Sequence, residues 1–95
     1  MNELKNNHIT KRNSCVDTSY ENGVIILNTE TGVYIELNET GKFLWEEIER
    51  GPTFNELIKI LCATYQVNLN EAEDSLKKFL DKGIDEKIIE ISDPK

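Results

Sequence analysis

The sequence predicts an α+β domain in which a three-stranded antiparallel sheet is followed by three helices. Three observations carry this expectation. Two strand-like runs, Val24–Leu27 and Val33–Leu37, flank a turn that ends in Gly32. Two helix-opening boxes, Thr53-Phe54-Asn55-Glu56 and Asn68-Leu69-Asn70-Glu71, each head an amphipathic run. The length of 95 residues with 38% apolar content suits one domain with one small core.

Residues 1–13 show no helical or strand period and hold the single His8. They read as a flexible N-terminal tail ahead of a domain spanning 14–92. Ser14–Tyr20 is a weak first strand. Asn22-Gly23 follows as a hairpin signal, because both residues tolerate positive φ. Val24-Ile25-Ile26-Leu27 is apolar on both pleat faces, as a central strand covered on both sides would be. Val33–Leu37 alternates, with Val33, Ile35 and Leu37 on one face and Tyr34 and Glu36 on the other. As third strand of a meander it is an edge.

Helices follow. Asn38 caps one that runs to Arg50, where Gly51-Pro52 stops it; Phe43, Leu44, Trp45 and Ile48 form its apolar face. The box at Thr53 opens a second, lined by Leu57, Ile58, Leu61 and Tyr65. The box at Asn68 opens a third, in which Ala72, Leu76, Phe79, Leu80 and Ile84 keep the helical rhythm through Gly83 to about Asp85. A stop at Gly83 as a C′ cap is the rival reading. Ile88-Ile89-Glu90-Ile91 is a short apolar end that covers the core.

Chemistry-bearing constellations are missing from the sequence. The lone His8 has no triad partner, and Cys15 and Cys62 belong to no CxxC, so both read as reduced thiols packed as small apolar groups. No phosphate loop, dinucleotide fingerprint or HExxH occurs. The carboxylates Glu46-Glu47 and Glu71, Glu73 and Asp74 suit wet helix faces. No catalytic residue, metal or cofactor is expected. No run of about 20 apolar residues spans a membrane. With no signal peptide either, the expected location is cytoplasmic.

Binding is then the default. Strands followed by a helix-turn-helix-like segment make a winged-helix-like order, which raises DNA as a partner. The charge opposes it. The net charge is −7. The helix that would read the groove carries Glu71, Glu73, Asp74, Asp81 and Asp85 against Lys77, Lys78 and Lys82. A DNA-binding regulator stands as the alternative reading, and no nucleic-acid partner is expected.

The stretch Val24-Ile-Ile-Leu-Asn-Thr-Glu-Thr-Gly-Val-Tyr-Ile-Glu-Leu-Asn-Glu-Thr-Gly-Lys-Phe-Leu-Trp45 resembles the PqqD-like family. The resemblance continues through Gly51-Pro-Thr53, Glu56-Leu-Ile58, Tyr65-Gln-Val67-Asn68, Glu71-Ala-Glu73 and Phe79-Leu80, covering about Ser14 to Ile91. That family is named for the peptide chaperone of pyrroloquinoline quinone biosynthesis. It includes the standalone recognition proteins of lasso-peptide pathways, and its members are recognition elements for ribosomally made, post-translationally modified peptides. The resemblance implies a winged-helix-like fold and no catalysis. It implies binding of a precursor's leader peptide, which adds as a further strand beside the third one. It also implies delivery of that peptide to a maturation enzyme, whether leader peptidase, cyclase or radical SAM enzyme.

Carried over, the peptide-binding positions are Val33, Tyr34, Ile35 and Glu36 on the third strand, with Ser75, Lys78, Phe79 and Lys82 chosen on the third helix by spacing. The plainer roles stand beside these. Val33, Ile35 and Leu37 suit a core, and the lysines suit a solvated stripe. Two departures from the family are Asn68-Leu69, where Asp-Pro is usual, and Gly83-Ile84, where a Leu pair is common. Gly83 either weakens the helix or leaves a notch for a leader side chain.

Overall fold

The computed structural model describes residues 7–92. Its elements in order are β1 (His8–Lys11), β2 (Cys15–Tyr20), β3 (Gly23–Asn28), β4 (Val33–Leu37), α1 (Glu39–Ile48), α2 (Phe54–Tyr65), α3 (Leu69–Asp85) and β5 (Ile89–Ser92). The α+β class and the strands-then-helices order hold. The strand count is larger than expected. β2-β3-β4 form the antiparallel meander, while β1 and β5 pair separately.

That second sheet corrects the tail expectation over residues 8–11. His8–Lys11 pairs antiparallel with Ile89–Ser92, Ile9 opposite Ile91. Ile9 is only 1% exposed. The segment is further stitched by Ile9 N–H to Pro52 O (2.8 Å), Arg12 N–H to Ile88 O (2.9 Å) and Phe54 N–H to Asn7 O (3.1 Å). His8 lends its Nδ1 to a 2.7 Å hydrogen bond with Gly51 O. Residues 1–6 of the expected tail lie outside the described residues. Pattern reading overlooks β1 because one apolar side chain in four residues has no period, and its partner strand lies at the other end of the chain.

The meander is central on β3, as expected, with Val24 opposite Leu37 and Ile26 opposite Ile35. Its cover differs from expectation. The inner face, with Val24 and Ile26 buried, packs on α1; Ile25 on the outer face is 39% exposed, since none of the described elements forms a layer over it. The β2–β3 turn also shifts by one residue. Tyr20 pairs with Gly23, so Glu21-Asn22 forms the loop, and neither Asn22 nor Gly23 has positive φ. Gly23 is required for a different reason. A Cβ there would lie 2.3 Å from Leu37 O and 2.7 Å from the Tyr20 hydroxyl.

The three helices behave as their sequences dictate. The Asn38 side chain accepts from Gly41 N–H at 2.9 Å, which caps α1. Reciprocal boxes close the starts of α2 (Thr53 with Glu56) and α3 (Asn68 with Glu71). Helix α3 passes through Gly83, because the glycine packs against β5. A Cβ at 83 would meet Ile89 Cδ1 at 2.4 Å. The notch expected for a leader side chain is therefore filled by Ile89 of the chain itself.

One core joins all layers. Leu44, Trp45 and Ile48 from α1 meet Leu57 and Leu61 from α2, Leu76 and Leu80 from α3, Ile9 and Ile89 from the small sheet, and Ile88 just ahead of it. Trp45 keeps its polar end satisfied, with Nε1–H donating to Asp17 Oδ2 at 2.7 Å and Lys11 Nζ lying 4.5 Å over the ring. Asn28 is polar and fully buried. It accepts from Ser14 and from Glu30 N–H, and donates to Lys87 O at 2.9 Å, so its burial costs little. Both cysteines are free and half-buried. Burial pushes the Cys15 thiol up, against a smaller lowering by Arg12.

Candidate functional site

β4 ends its sheet. Nothing among the described residues pairs with its outer side, so it presents unpaired backbone donors and acceptors. β2 ends the other side, and it carries the polar Asp17, Thr18 and Ser19. The two edges therefore differ in what they offer a guest.

At the Glu36–Leu37 end of β4 lies a groove of about 410 Å³. Its floor is Leu37, Gly41 and Leu44, all buried. Its far wall comes from α3. The core face of that helix is Ala72, Leu76, Leu80 and Gly83. Ser75, Lys78, Phe79 and Lys82 form the next stripe, at i, i+3, i+4 and i+7, and all four line the groove. Phe79 is half-buried against the core, so part of its ring remains for a ligand. Lys78 pairs with Asp74 one turn earlier at 3.3 Å. Lys82 makes no ion pair with the described residues.

The expected residues thus separate into two groups. Glu36, Ser75, Lys78, Phe79 and Lys82 come together on the groove. Val33, Tyr34 and Ile35 do not line it. Ile35 is core, Tyr34 is 69% exposed on the outer face, and Val33 is 44% exposed at the corner where the edge strand begins. The core role expected for Val33 fails there. Sequence reasoning missed Leu37, Asn38, Thr40, Gly41 and Leu44 as lining residues. The signal was present, since Asn38 follows β4 directly and caps α1, which puts the first turn of α1 at the end of the edge strand.

Glu36 is held in place. The Tyr20 hydroxyl donates to its carboxylate across the sheet, passing over Gly23. That hydrogen bond to a carboxylate holds the Tyr20 phenol above the ordinary tyrosine range. The missing side chain at 23 makes room for the ring, and the ring orients the carboxylate at the groove mouth.

The family model for Coenzyme PQQ synthesis protein D (PqqD) matches residues 23–89, most of the chain. The chain belongs to the PqqD family. The match spans β3 through the start of β5, so it contains both the open edge and the α3 wall. Two solved structures share the fold of this PqqD-family domain. TbiB1 in complex with the TbiA(beta) leader peptide superposes with a TM-score of 0.80 at 26% identity, covering 85% of this chain and 94% of that one. Lasso peptide synthetase B1 complexed with the leader peptide gives 0.76 at 17% identity, covering 86% and 96%. Comparison with curated proteins finds no match.

Among the described residues, no group of three or more His, Cys, Asp or Glu is arranged to hold a metal ion. No helix among them is long and apolar enough to cross a membrane. The arrangement offers a strand edge, an apolar floor and a rim of mixed charge, with Lys78 and Lys82 on α3 and Glu36 on β4.

Proposed function

We propose that this PqqD-family domain binds the leader segment of a ribosomally made precursor peptide as a strand added to β4, and hands that peptide to a maturation enzyme. The observation that carries the reading is the open β4 edge lying beside the groove floored by Leu37 and Leu44. The likeness to TbiB1, whose structure contains a leader peptide, supports it. Glu36, Ser75, Lys78, Phe79 and Lys82 contact the leader from the groove. Val33, Tyr34 and Ile35 supply the strand it pairs with. Catalysis belongs to the partner enzyme, and the likeness to lasso synthetase B1 favours a lasso pathway over the quinone pathway.

The energetics explain why a groove must accompany the edge. Ordering each flexible residue costs about 1–2 kcal/mol. Each backbone hydrogen bond returns a net of about 0.5–1.5 kcal/mol. These roughly cancel, so affinity comes from apolar side chains buried on the floor, at about 1.5–3 kcal/mol each. Two or three such anchors bring a short leader to about micromolar affinity. Nothing in the fold favours the DNA alternative, since α3 carries net negative charge.

The test is calorimetric titration of the 95-residue protein with the leader of the precursor encoded beside its gene. A dissociation constant of micromolar or tighter is expected, with hydrogen-exchange protection gained along β4. A flat trace overturns the reading, and so does binding that leaves β4 unprotected.

A further inference from the structure

The groove does not end at Leu44. Thr40 and Ser75 line it and also line a second hollow of about 210 Å³, whose other walls are Leu61, Tyr65, Val67 and Ala72. We infer that this hollow is a separate subsite for one large apolar side chain of the same bound peptide. The inference rests on the leader-binding reading above.

Its walls are built rather than accidental. Leu61 and Ala72 are buried members of the core. Tyr65 is fixed by an edge-on contact with Phe43, ring centroids 5.5 Å apart. Helix α2 then ends in the left-handed cap Gln66 (φ 55°), which turns the chain so that half-buried Val67 closes one side. The lining is mainly aliphatic and aromatic; its hydroxyls are those of Thr40 and Ser75 at the shared rim and the phenol of Tyr65. An apolar cavity of about 150 Å³ holds a benzene ring. This hollow is therefore large enough for a side chain of leucine or phenylalanine size, and it has nothing to recognise a charge.

Its position identifies the occupant. β4 stops at Leu37, and Asn38, Thr40 and Gly41 carry the groove's lining on past the strand's end. A strand added along β4 advances about 3.3 Å per residue. It reaches the Thr40–Ser75 rim as its paired stretch ends. The side chain presented there enters the hollow, at a fixed offset from those on the Leu37–Leu44 floor. Specificity then comes from two apolar anchors in register: one against Phe79 and one beyond Thr40.

The test pans a random dodecapeptide phage library on the 95-residue protein and on Val67→Phe and Val67→Ala, with Phe79→Ala as control. Val67 lines the hollow and not the groove, and thermal melts confirm that each variant folds. Wild type is expected to select a large apolar residue at one fixed position. Val67→Phe shifts that position to small residues and weakens the wild-type peptide at least tenfold; Val67→Ala shifts it to larger ones. If Val67→Phe does not fold, the Val67→Ala consensus decides the matter. Peptides weakened by Phe79→Ala but indifferent to Val67 overturn the subsite and leave strand addition standing. No enriched peptide, or binding indifferent to both positions, overturns both.

Discussion

Phe79 divides its ring between the core and the groove, and that division is measurable. Truncation to Ala removes the groove-facing surface and some packing. Loss of an anchor worth about 1.5–3 kcal/mol is expected to weaken leader binding roughly ten- to a hundredfold, more than any substitution of exposed Tyr34. Parallel titration of Phe79→Ala and Tyr34→Ala, with melts to confirm folding, checks this. A second residue-scale expectation concerns Tyr20. Its folded pKa is raised by Glu36. The associated stability is present below the ordinary tyrosine value of about 10 and is lost as pH rises through the folded value. Glu36→Gln should bring the Tyr20 ionisation down, as read by phenolate absorbance against a Tyr20→Phe blank. Site residues were legible here where helical spacing fixed a stripe: Ser75, Lys78, Phe79 and Lys82 share the groove because 3.6 residues per turn allows little else. The sequence could not show that Val33 falls at an uncovered corner, or that Gly23 serves a neighbour's ring rather than a turn. Both depend on what packs across the sheet.

At the scale of elements, helix boundaries were the most legible feature, because capping chemistry is local. Asn38, Thr53 and Asn68 each satisfy amide groups within three residues of themselves. β1 was illegible because its stability is entirely non-local. Replacing Ile9 by Ala is expected to cost about 2–5 kcal/mol, visible as a lower denaturation midpoint, although the family match begins only at residue 23. Gly83 sets up a conflict between scales. Ala is the better helix former by about 1 kcal/mol, yet its Cβ would collide with Ile89. Gly83→Ala should therefore destabilise. Combined with Ile89→Ala, it should cost less than the sum of the two single changes, a coupling that a double-mutant cycle in urea reads directly.

For the whole molecule, the small core leaves stability responsive to a guest. A leader at a hundred times its dissociation constant adds about 2.7 kcal/mol. For a chain of this size that raises the melting temperature by about 10–20 °C. A melt with and without the peptide measures it, and an unchanged midpoint at saturation contradicts binding to the native state. Fold class and layer order were legible from period and punctuation. The closure of the core by a second sheet was not, because its two strands lie at opposite ends of the sequence.

The antiparallel pairing of His8 with Ser92 brings the two ends of the described chain side by side. A short covalent bridge can join them without disturbing either sheet. The polypeptide can then be cut open at the exposed Glu30–Gly32 turn. Such a circular permutant should keep its native spectrum while giving β4 a free start. A cargo or reporter attached there would sit next to the incoming leader, turning the domain into a proximity sensor for its own ligand.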